Sequence, residues 1–220
     1  MKKILFLTLT VALLAILLVS CNGVAHTESP ESSSTAEASE TPESSSTEVT
    51  TAKPVVVALE IRDMGTIKLE LYPNIAPKTV ENFLSYVKSG FYEGVIFHRV
   101  IEDFMIQAGD KDGDGVSDPS LPTIFGEFTA NGFRNDLEFE RGVIGLARGP
   151  ELNSASSQFF ICHVDTPNLN GLYAAFGRVI EGIEVVDAIA TCEKTDDVDA
   201  NGSHYKPLQD VVIQRAYVVE

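Results

Sequence analysis

The stretch from Phe97 to Asp110 constrains this chain most, because its apolar positions fit two short strands separated by an acidic break. The segments Phe97–Ile101 and Phe104–Ala108 have the length and alternation of half-buried strands. The acidic pair Glu102-Asp103 lies between them. The sequence therefore predicts a tight pair of strands in this part of the chain.

Alternation along the two strands places particular side chains on common faces. Arg99 shares a face with Ile101, and Met105 shares a face with Gln107, because successive side chains of a strand point to opposite sides. An arginine, a thioether and an amide beside phenylalanines favour an apolar pocket with a few polar groups. An amphipathic hairpin with a solvated arginine fits the same stretch, so this stretch alone leaves both interpretations open.

A second group of segments lies downstream, and with the first it forms a specific pattern. These segments are Gly142–Arg148, Asn153–Ile161, Leu169–Gly171 and Phe176-Gly177. Together with the FHR-x-I-x-x-FM-x-Q-x-GD pattern of the first stretch, and with SQFFI in the second group, the chain resembles the cyclophilin family of peptidyl-prolyl cis–trans isomerases. The resemblance runs from about Val55 to Val219.

Many short apolar runs and two helical segments predict a mainly all-β fold. The strands are expected at 55–61, 66–72, 97–101, 104–108, 143–147, 159–163, 174–179 and 211–219. The helices are expected at 77–87, where a proline suits the first turn, and at about 181–190. The resemblance implies a closed eight-stranded antiparallel β-barrel with one α-helix at each end.

The resemblance also implies which residues act on a proline-containing peptide. Arg99 corresponds to the catalytic arginine, and Gln107 is expected to help hold it. Phe104, Met105, Phe160 and Leu169 would form the proline pocket, Gln158 would supply a second polar wall, and Ala147 and Tyr173 would line the adjoining surface. Plain core packing is the alternative for Phe104 and Phe160.

Several positions depart from the pattern of many eukaryotic cyclophilins. Asn168 stands where those proteins have a tryptophan, and Tyr173 where they have a histidine. A missing indole removes an aromatic wall and a hydrogen-bond donor, so we expect weak cyclosporin binding with isomerase activity kept. Arg148 replaces a frequent asparagine, and the loop 149–156 differs in length, which changes the expected contacts with the substrate backbone.

The first twenty residues have the features of an export signal. Lys2 and Lys3 precede the apolar run 4–19, which is shorter than the roughly 18–20 residues of a membrane-spanning helix. The run ends in Leu-Val-Ser-Cys21, which resembles the lipobox of bacterial lipoproteins and implies lipidation of Cys21. An ordinary secretory signal and an uncleaved anchor are the alternatives.

Residues 21–53 form the next unit and consist mainly of Ser, Thr, Glu, Ala and Pro. Such a composition buries too little apolar surface to offset the entropy of ordering, so we expect a disordered tether that holds the domain 54–220 away from a membrane. The formal net charge of −16 disfavours nucleic acid as a partner.

A histidine and two cysteines are the remaining titratable residues of interest in the domain. His98 lies on the face opposite Arg99, and we expect a structural histidine with satisfied hydrogen bonds rather than an acid or base. Cys162 and Cys192 are expected to be free buried thiols, because the family fold needs no disulfide. A disulfide between them is the alternative, which spacing alone does not settle.

The loop after the first stretch has a partial calcium pattern. Asp110, Asp112, Asp114 and Asp118 occupy positions 1, 3, 5 and 9 of such a loop, with glycine at position 6. Position 12, where a calcium loop requires glutamate, is Leu121. A structural Ca²⁺ site and an acidic solvated turn are both compatible with this pattern, and no cofactor is expected to be required.

The sequence thus predicts a monomeric peptidyl-prolyl isomerase outside the cytoplasm, attached to a bacterial cell membrane through lipid on Cys21. Its expected partners are X–Pro segments of unfolded or exported proteins. A proline-peptide holdase is the competing function. A solute-binding lipoprotein would need a larger, two-lobed chain.

Overall fold

The computed structural model describes residues 52–199, 202 and 204–220. The expected signal segment, Cys21 and the tether up to residue 51 therefore lie outside the described residues. The described residues form one eight-stranded antiparallel sheet with two α-helices. Among the described residues, no helix is long and apolar enough to cross a membrane.

The strands and helices follow the predicted order with small shifts at their ends. The strands are β1 (Val55–Ile61), β2 (Gly65–Leu71), β3 (Arg99–Ile101), β4 (Met105–Ala108), β5 (Val143–Leu146), β6 (Phe159–Cys162), β7 (Ala174–Glu181) and β8 (Ile213–Val218). The helices are α1 (Pro77–Lys88) and α2 (Ile183–Ala190). Short 3₁₀ turns lie at Thr129–Asn131 and Pro167–Leu169.

The strands pair in the order β3-β4-β6-β5-β7-β2-β1-β8. The sheet curls into a half-barrel, and its two edge strands do not form a ladder with each other. An isolated bridge between Ile96 and Val212 joins the segments that precede β3 and β8. The expectation of a closed barrel was therefore too strong, because β3 and β8 form no ladder with each other within the described residues. The adjoining segments are joined by this bridge and by backbone hydrogen bonds such as that from the Phe97 nitrogen to the Val211 oxygen.

Alternating side chains divide the interior into two apolar clusters. Val100, Ile106 and Ile144 point into the main core, which also contains residues of both helices. Ile101 and Met105 point to the other face and belong to a smaller cluster, which includes Phe139, Phe160, Leu169 and Cys162. This division follows from the two-residue period of the strands, and it places the smaller cluster beside Arg99.

The two helices pack on the sheet, and a side chain from outside α1 caps its first turn. Pro77 occupies the first turn of α1, where backbone amides have no partner within the helix, so the amide hydrogen that proline lacks is not needed. Glu127 accepts hydrogen bonds from the backbone nitrogens of Lys78 and Thr79 at 3.0 and 2.8 Å, so it satisfies two free donors of that turn. Helix α1 packs on β7 and β8, and α2 packs on β2, β3 and β4.

Candidate active site

The antiparallel pairing of β3, β4 and β6 brings the predicted site residues together. Arg99 lies opposite Gln107, and Gln107 lies opposite Phe160. The three side chains thus form a row across three strands, because directly opposed residues in a ladder point to the same face. Gln107 and Phe160 are far apart in sequence, and the pairing of β4 with β6 brings them together.

This row opens into a cleft of about 280 Å³ on the surface of the half-barrel. Nearly all residues that the sequence predicts for the site line this cleft. They are Arg99, Phe104, Met105, Gln107, Ala147, Phe160, Leu169 and Tyr173, joined by Arg148. Apolar side chains and polar groups both form this lining, the polar groups being two guanidinium groups and an amide, so the cleft suits a small apolar group attached to a polar chain.

Aromatic packing fixes the floor of the cleft. Phe160 stacks on Phe139 with ring centroids 5.4 Å apart, and it meets Tyr173 edge-on at 5.6 Å. Phe160, Met105 and Leu169 are all less than a tenth exposed. Side chains packed in this way keep one rotamer, so the slot is formed before any ligand enters it.

The guanidinium of Arg99 lies at the edge of the slot. One of its terminal nitrogens is 3.9 Å from the sulfur of Met105, and its central carbon is 5.8 Å from the ring centroid of Phe104. The side chain of Arg99 is 29% exposed, so it is accessible to a ligand but largely desolvated. The cation therefore faces the apolar slot.

Gln107 has a different partner from the one that the resemblance implied. Its side-chain nitrogen donates a hydrogen bond to the side-chain oxygen of Gln158 at 2.8 Å. Among the described residues, the carboxylate that meets Arg99 is that of Asp199, at 3.2 Å. Asp199 comes from the connection between α2 and β8 and was missed at the level of sequence.

Gln158 lines a neighbouring cavity of about 140 Å³ rather than the cleft itself. The two spaces share Gln107, Ala147 and Arg148 as a common wall. The guanidinium of Arg148 lies 4.9 Å from the ring centroid of Tyr173 and donates hydrogen bonds to the backbone oxygens of Leu172 and Gly149. Arg148 is therefore a rigid element of the wall.

Among the described residues near the site, no titratable groups are paired as a nucleophile with a base or as a general acid with a general base. Burial raises the pKa of Cys162 to about 11, so this thiol is protonated at neutral pH. Cys162 and Cys192 are both free, although Cys192 is only half-buried. The site contains donors and apolar walls, which suit a reaction without bond cleavage.

His98 is buried behind β3, but it is not the satisfied histidine that we expected. It is only 6% exposed, and neither ring nitrogen has a hydrogen-bond partner among the described residues. Burial lowers the pKa of His98, with Asp110 opposing the shift and Arg99 adding to it. A β-carbon built on Gly115 would lie 3.5 Å from Cδ2 of His98, so the imidazole lies beside this glycine.

The acidic loop after β4 is held by its own backbone. Asp110 accepts a hydrogen bond from the Gly115 nitrogen at 2.7 Å, and Asp118 accepts one from the Ser120 nitrogen at 2.8 Å. Within the described part of the chain, no group of three or more His, Cys, Asp or Glu side chains could hold a metal ion. The structure therefore does not support the calcium interpretation of Asp110, Asp112, Asp114 and Asp118.

Comparison with known proteins identifies the family of this site. The family model described as cyclophilin type peptidyl-prolyl cis-trans isomerase/CLD matches residues 56–218. A peptidyl-prolyl cis-trans isomerase of Streptomyces antibioticus is 46% identical over 164 residues, which are 70% of this chain and 93% of that protein. The human peptidyl-prolyl cis-trans isomerase-like 1 is 40% identical, over 75% of this chain and 93% of that protein.

Solved structures agree with this match. A cyclophilin type peptidyl-prolyl cis-trans isomerase of Cryptosporidium parvum superposes with a TM-score of 0.67 at 29% identity, covering 76% of this chain and 98% of its own. A second structure from that organism, determined in the presence of the dipeptide Ala-Pro, gives a TM-score of 0.66 at 30% identity and covers 75% and 99% of the two chains. The chain belongs to the cyclophilin family and is a peptidyl-prolyl cis–trans isomerase.

Proposed function

We propose that this isomerase accelerates X–Pro rotation in exported proteins at the outer face of a bacterial membrane, with Arg99 as its catalytic cation. The observation that carries the catalytic part is the position of Arg99, whose guanidinium borders an apolar slot that contains Phe104 and Met105. The slot is the right kind of site for a pyrrolidine ring, which is small and apolar.

The reaction requires no covalent chemistry. Rotation about a peptide bond is slow because the C–N bond has partial double-bond character, with a barrier of about 18–20 kcal/mol. As the bond twists, resonance is lost and the lone pair of the proline nitrogen, which the planar amide shares with the carbonyl, becomes localised on the nitrogen. Groups that interact more strongly with this twisted state than with either planar isomer lower the barrier.

Each proposed role follows from a position in the cleft. Phe104, Met105, Phe160 and Leu169 hold the proline ring and exclude water from it. Arg99 donates to the lone pair that develops on the proline nitrogen, because its guanidinium is permanently charged and has a rigid fork of donors. Gln107 and Gln158 offer polar contacts to the flanking peptide, and Ala147 and Tyr173 line the adjoining wall.

The substrate class is supported by a relative. A structure of the Cryptosporidium parvum protein was determined in the presence of Ala-Pro, and its chain matches 75% of the present one. We therefore propose X–Pro segments of unfolded or exported proteins as partners, and a monomer as the working unit. Neither a metal nor an organic cofactor has a part in the proposed chemistry.

The proposed location depends on the first 53 residues. A positively charged start, an apolar run and Leu-Val-Ser-Cys21 support export and lipidation at Cys21, and the composition of 21–53 supports a tether. Expression of the full chain in a bacterium with a labelled fatty acid tests this proposal. We expect the wild-type chain to carry the label in the membrane fraction and Cys21→Ser to lose it. Equal labelling of the two chains, or equal release of both from the membrane, would contradict the anchor.

A refolding experiment separates an isomerase from a holdase. The substrate is an exported protein whose refolding is limited by proline isomerisation, and the rate is measured with wild type and with Arg99→Ala. We expect wild type to accelerate the slow phase and Arg99→Ala to lose that acceleration while it still binds the unfolded chain. If Arg99→Ala prevented aggregation and supported refolding as well as wild type does, the holdase function would replace this one.

A further inference from the structure

The connection between α2 and β8 reaches the active site from a distant part of the sequence. It spans 191–212, and its described residues include isolated bridges between Lys194 and Pro207 and between Val198 and His204. The backbone oxygen of Tyr205 accepts a hydrogen bond from the Val100 nitrogen in β3 at 2.7 Å. This connection is therefore attached to the strand that carries Arg99.

A side chain also attaches the connection to the site. Tyr205 packs against the smaller apolar cluster, which contains Met105 and Phe160 and forms the floor of the cleft. The tyrosine and its backbone oxygen together place this part of the chain beside the cleft. Asp199 lies six residues before Tyr205, on the same connection.

Asp199 forms the strongest polar contact of Arg99 among the described residues. Its carboxylate oxygen Oδ2 lies 3.2 Å from Nη2 of Arg99, and the two side chains are 14% and 29% exposed. Solvent and salt screen such a half-buried pair less than a fully exposed one. The other contacts of the guanidinium are the Met105 sulfur at 3.9 Å and the Phe104 ring at 5.8 Å, both of which are weaker and less directional.

Asp199 rather than Gln107 contacts the guanidinium of Arg99. It is the cross-strand partner of Arg99, but its amide nitrogen is directed to Gln158 at 2.8 Å. A free arginine side chain loses rotamer entropy when it is fixed in one conformation. A group that fixes the guanidinium in the free enzyme removes this cost from the catalytic step.

We propose that Asp199 is a positioning residue, which holds the guanidinium of Arg99 at the edge of the proline slot. The inference rests on the catalytic role proposed for Arg99. One ion-pair contact through Nη2 and the weak contact of Nη1 with the Met105 sulfur leave other donors of the five-donor fork for the substrate. The connection between α2 and β8 thereby supplies a part of the catalytic apparatus, 100 residues from the arginine in sequence.

The first test compares two aspartates of the same connection. Asp196 is exposed and carries the same charge, so Asp196→Ala controls for the change in net charge. For isomerisation of an Ala-Pro peptide, Asp199→Ala is expected to lower kcat about tenfold with KM changed less than about twofold, because orientation acts on the transition state. Asp196→Ala is expected to match wild type, and Asp199→Asn, which keeps an acceptor oxygen, to lie between.

The second test is a double-mutant cycle with Arg99→Ala. If Asp199 acts through Arg99, Asp199→Ala has no further effect in the Arg99→Ala background. Three results would overturn the proposal. The first is a kcat of Asp199→Ala equal to or higher than that of wild type, and the second is the same loss of kcat in Asp196→Ala as in Asp199→Ala. The third is a loss in the double variant equal to the sum of the two single losses on the free-energy scale. If Arg99→Ala keeps full activity, the catalytic role proposed for Arg99 is wrong. If Arg99→Ala loses activity and the Asp199 variants keep full activity, the positioning role of Asp199 alone is wrong.

Discussion

Gly145 and Phe160 lie opposite each other on β5 and β6, and the ring of Phe160 covers the place that a side chain on Gly145 would take. A β-carbon on Gly145 would lie 2.5 Å from Cζ of Phe160 and 2.6 Å from Cε1 of Phe139. Both rings are buried, and they are stacked on each other. The floor of the cleft therefore depends on the absence of a side chain at position 145.

The first prediction follows from this contact. Gly145→Ala is expected to lower the free energy of unfolding by about 1–3 kcal/mol, the usual cost of overpacking, and to lower kcat/KM by displacing Phe160. Gly149→Ala is a matched control in the neighbouring wall, because its β-carbon would meet Ser154 at an ordinary distance of 3.4 Å. Urea unfolding and peptide isomerisation measure both effects, and equal behaviour of the two variants would contradict the packing argument.

The second prediction concerns the buried imidazole of His98. Its pKa in the folded state is lowered from 6.5 by burial, so the unfolded chain binds the proton more readily than the folded chain. Stability is therefore retained above pH 6.5 and lost as the pH falls through the lower folded pKa.

Unfolding by urea across this pH range, with wild type and His98→Gln, isolates the contribution of His98. The wild type is expected to lose more stability on acidification than the variant, and the gap between the two profiles should widen below pH 6.5. Parallel profiles would show that His98 does not titrate differently in the two states.

The third prediction concerns the loop 110–118. We expect no change in melting temperature when calcium replaces a chelator, because Asp110, Asp114 and Asp118 already accept hydrogen bonds from backbone nitrogens of the loop. Magnesium serves as the control for general ionic effects. A rise in melting temperature specific to calcium, which disappears in Asp112→Asn, would restore the calcium interpretation.

The fourth prediction concerns Asn168, which is exposed in the 3₁₀ turn beside Leu169. Asn168→Trp is expected to strengthen inhibition by cyclosporin, since an indole adds an apolar wall and a hydrogen-bond donor at the edge of the cleft. The rate of isomerisation without inhibitor should stay close to that of wild type. Equal inhibition of wild type and variant would mean that the missing indole does not determine the affinity.

Local pattern was sufficient to predict most strands, and the family resemblance supplied most of the residues of the cleft. The alternation of Arg99, Ile101, Met105 and Gln107 determined which side chains share a face, and the helix over Pro77–Lys88 was indicated by its proline and apolar spacing. Strand β3 begins at Arg99 rather than at the predicted residue 97. The backbone nitrogen of Phe97 donates its hydrogen bond to the backbone oxygen of Val211, not to the other strand of the predicted hairpin. Such contacts depend on the path of a distant segment.

The residues that sequence reasoning missed share one property. Phe139 supports Phe160 from behind, and Asp199 meets Arg99 across 100 residues of sequence. Neither residue lies in a periodic run or in a motif, and their contacts arise only when the sheet curls. The choice of Gln158 rather than Arg99 as the partner of Gln107 is likewise set by side-chain rotamers, which spacing does not reveal.

The central claim is that the guanidinium of Arg99 lowers the barrier to rotation about the X–Pro bond. NMR exchange of an Ala-Pro peptide tests it with wild type, Arg99→Ala and Arg215→Ala, the last an exposed arginine on β8 that stacks on Tyr217 at 4.3 Å. We predict that Arg99→Ala loses about a hundredfold or more in catalysed exchange, as expected for loss of a preorganised donor, while Arg215→Ala matches wild type. Exchange at the wild-type rate in a folded Arg99→Ala protein would contradict the mechanism.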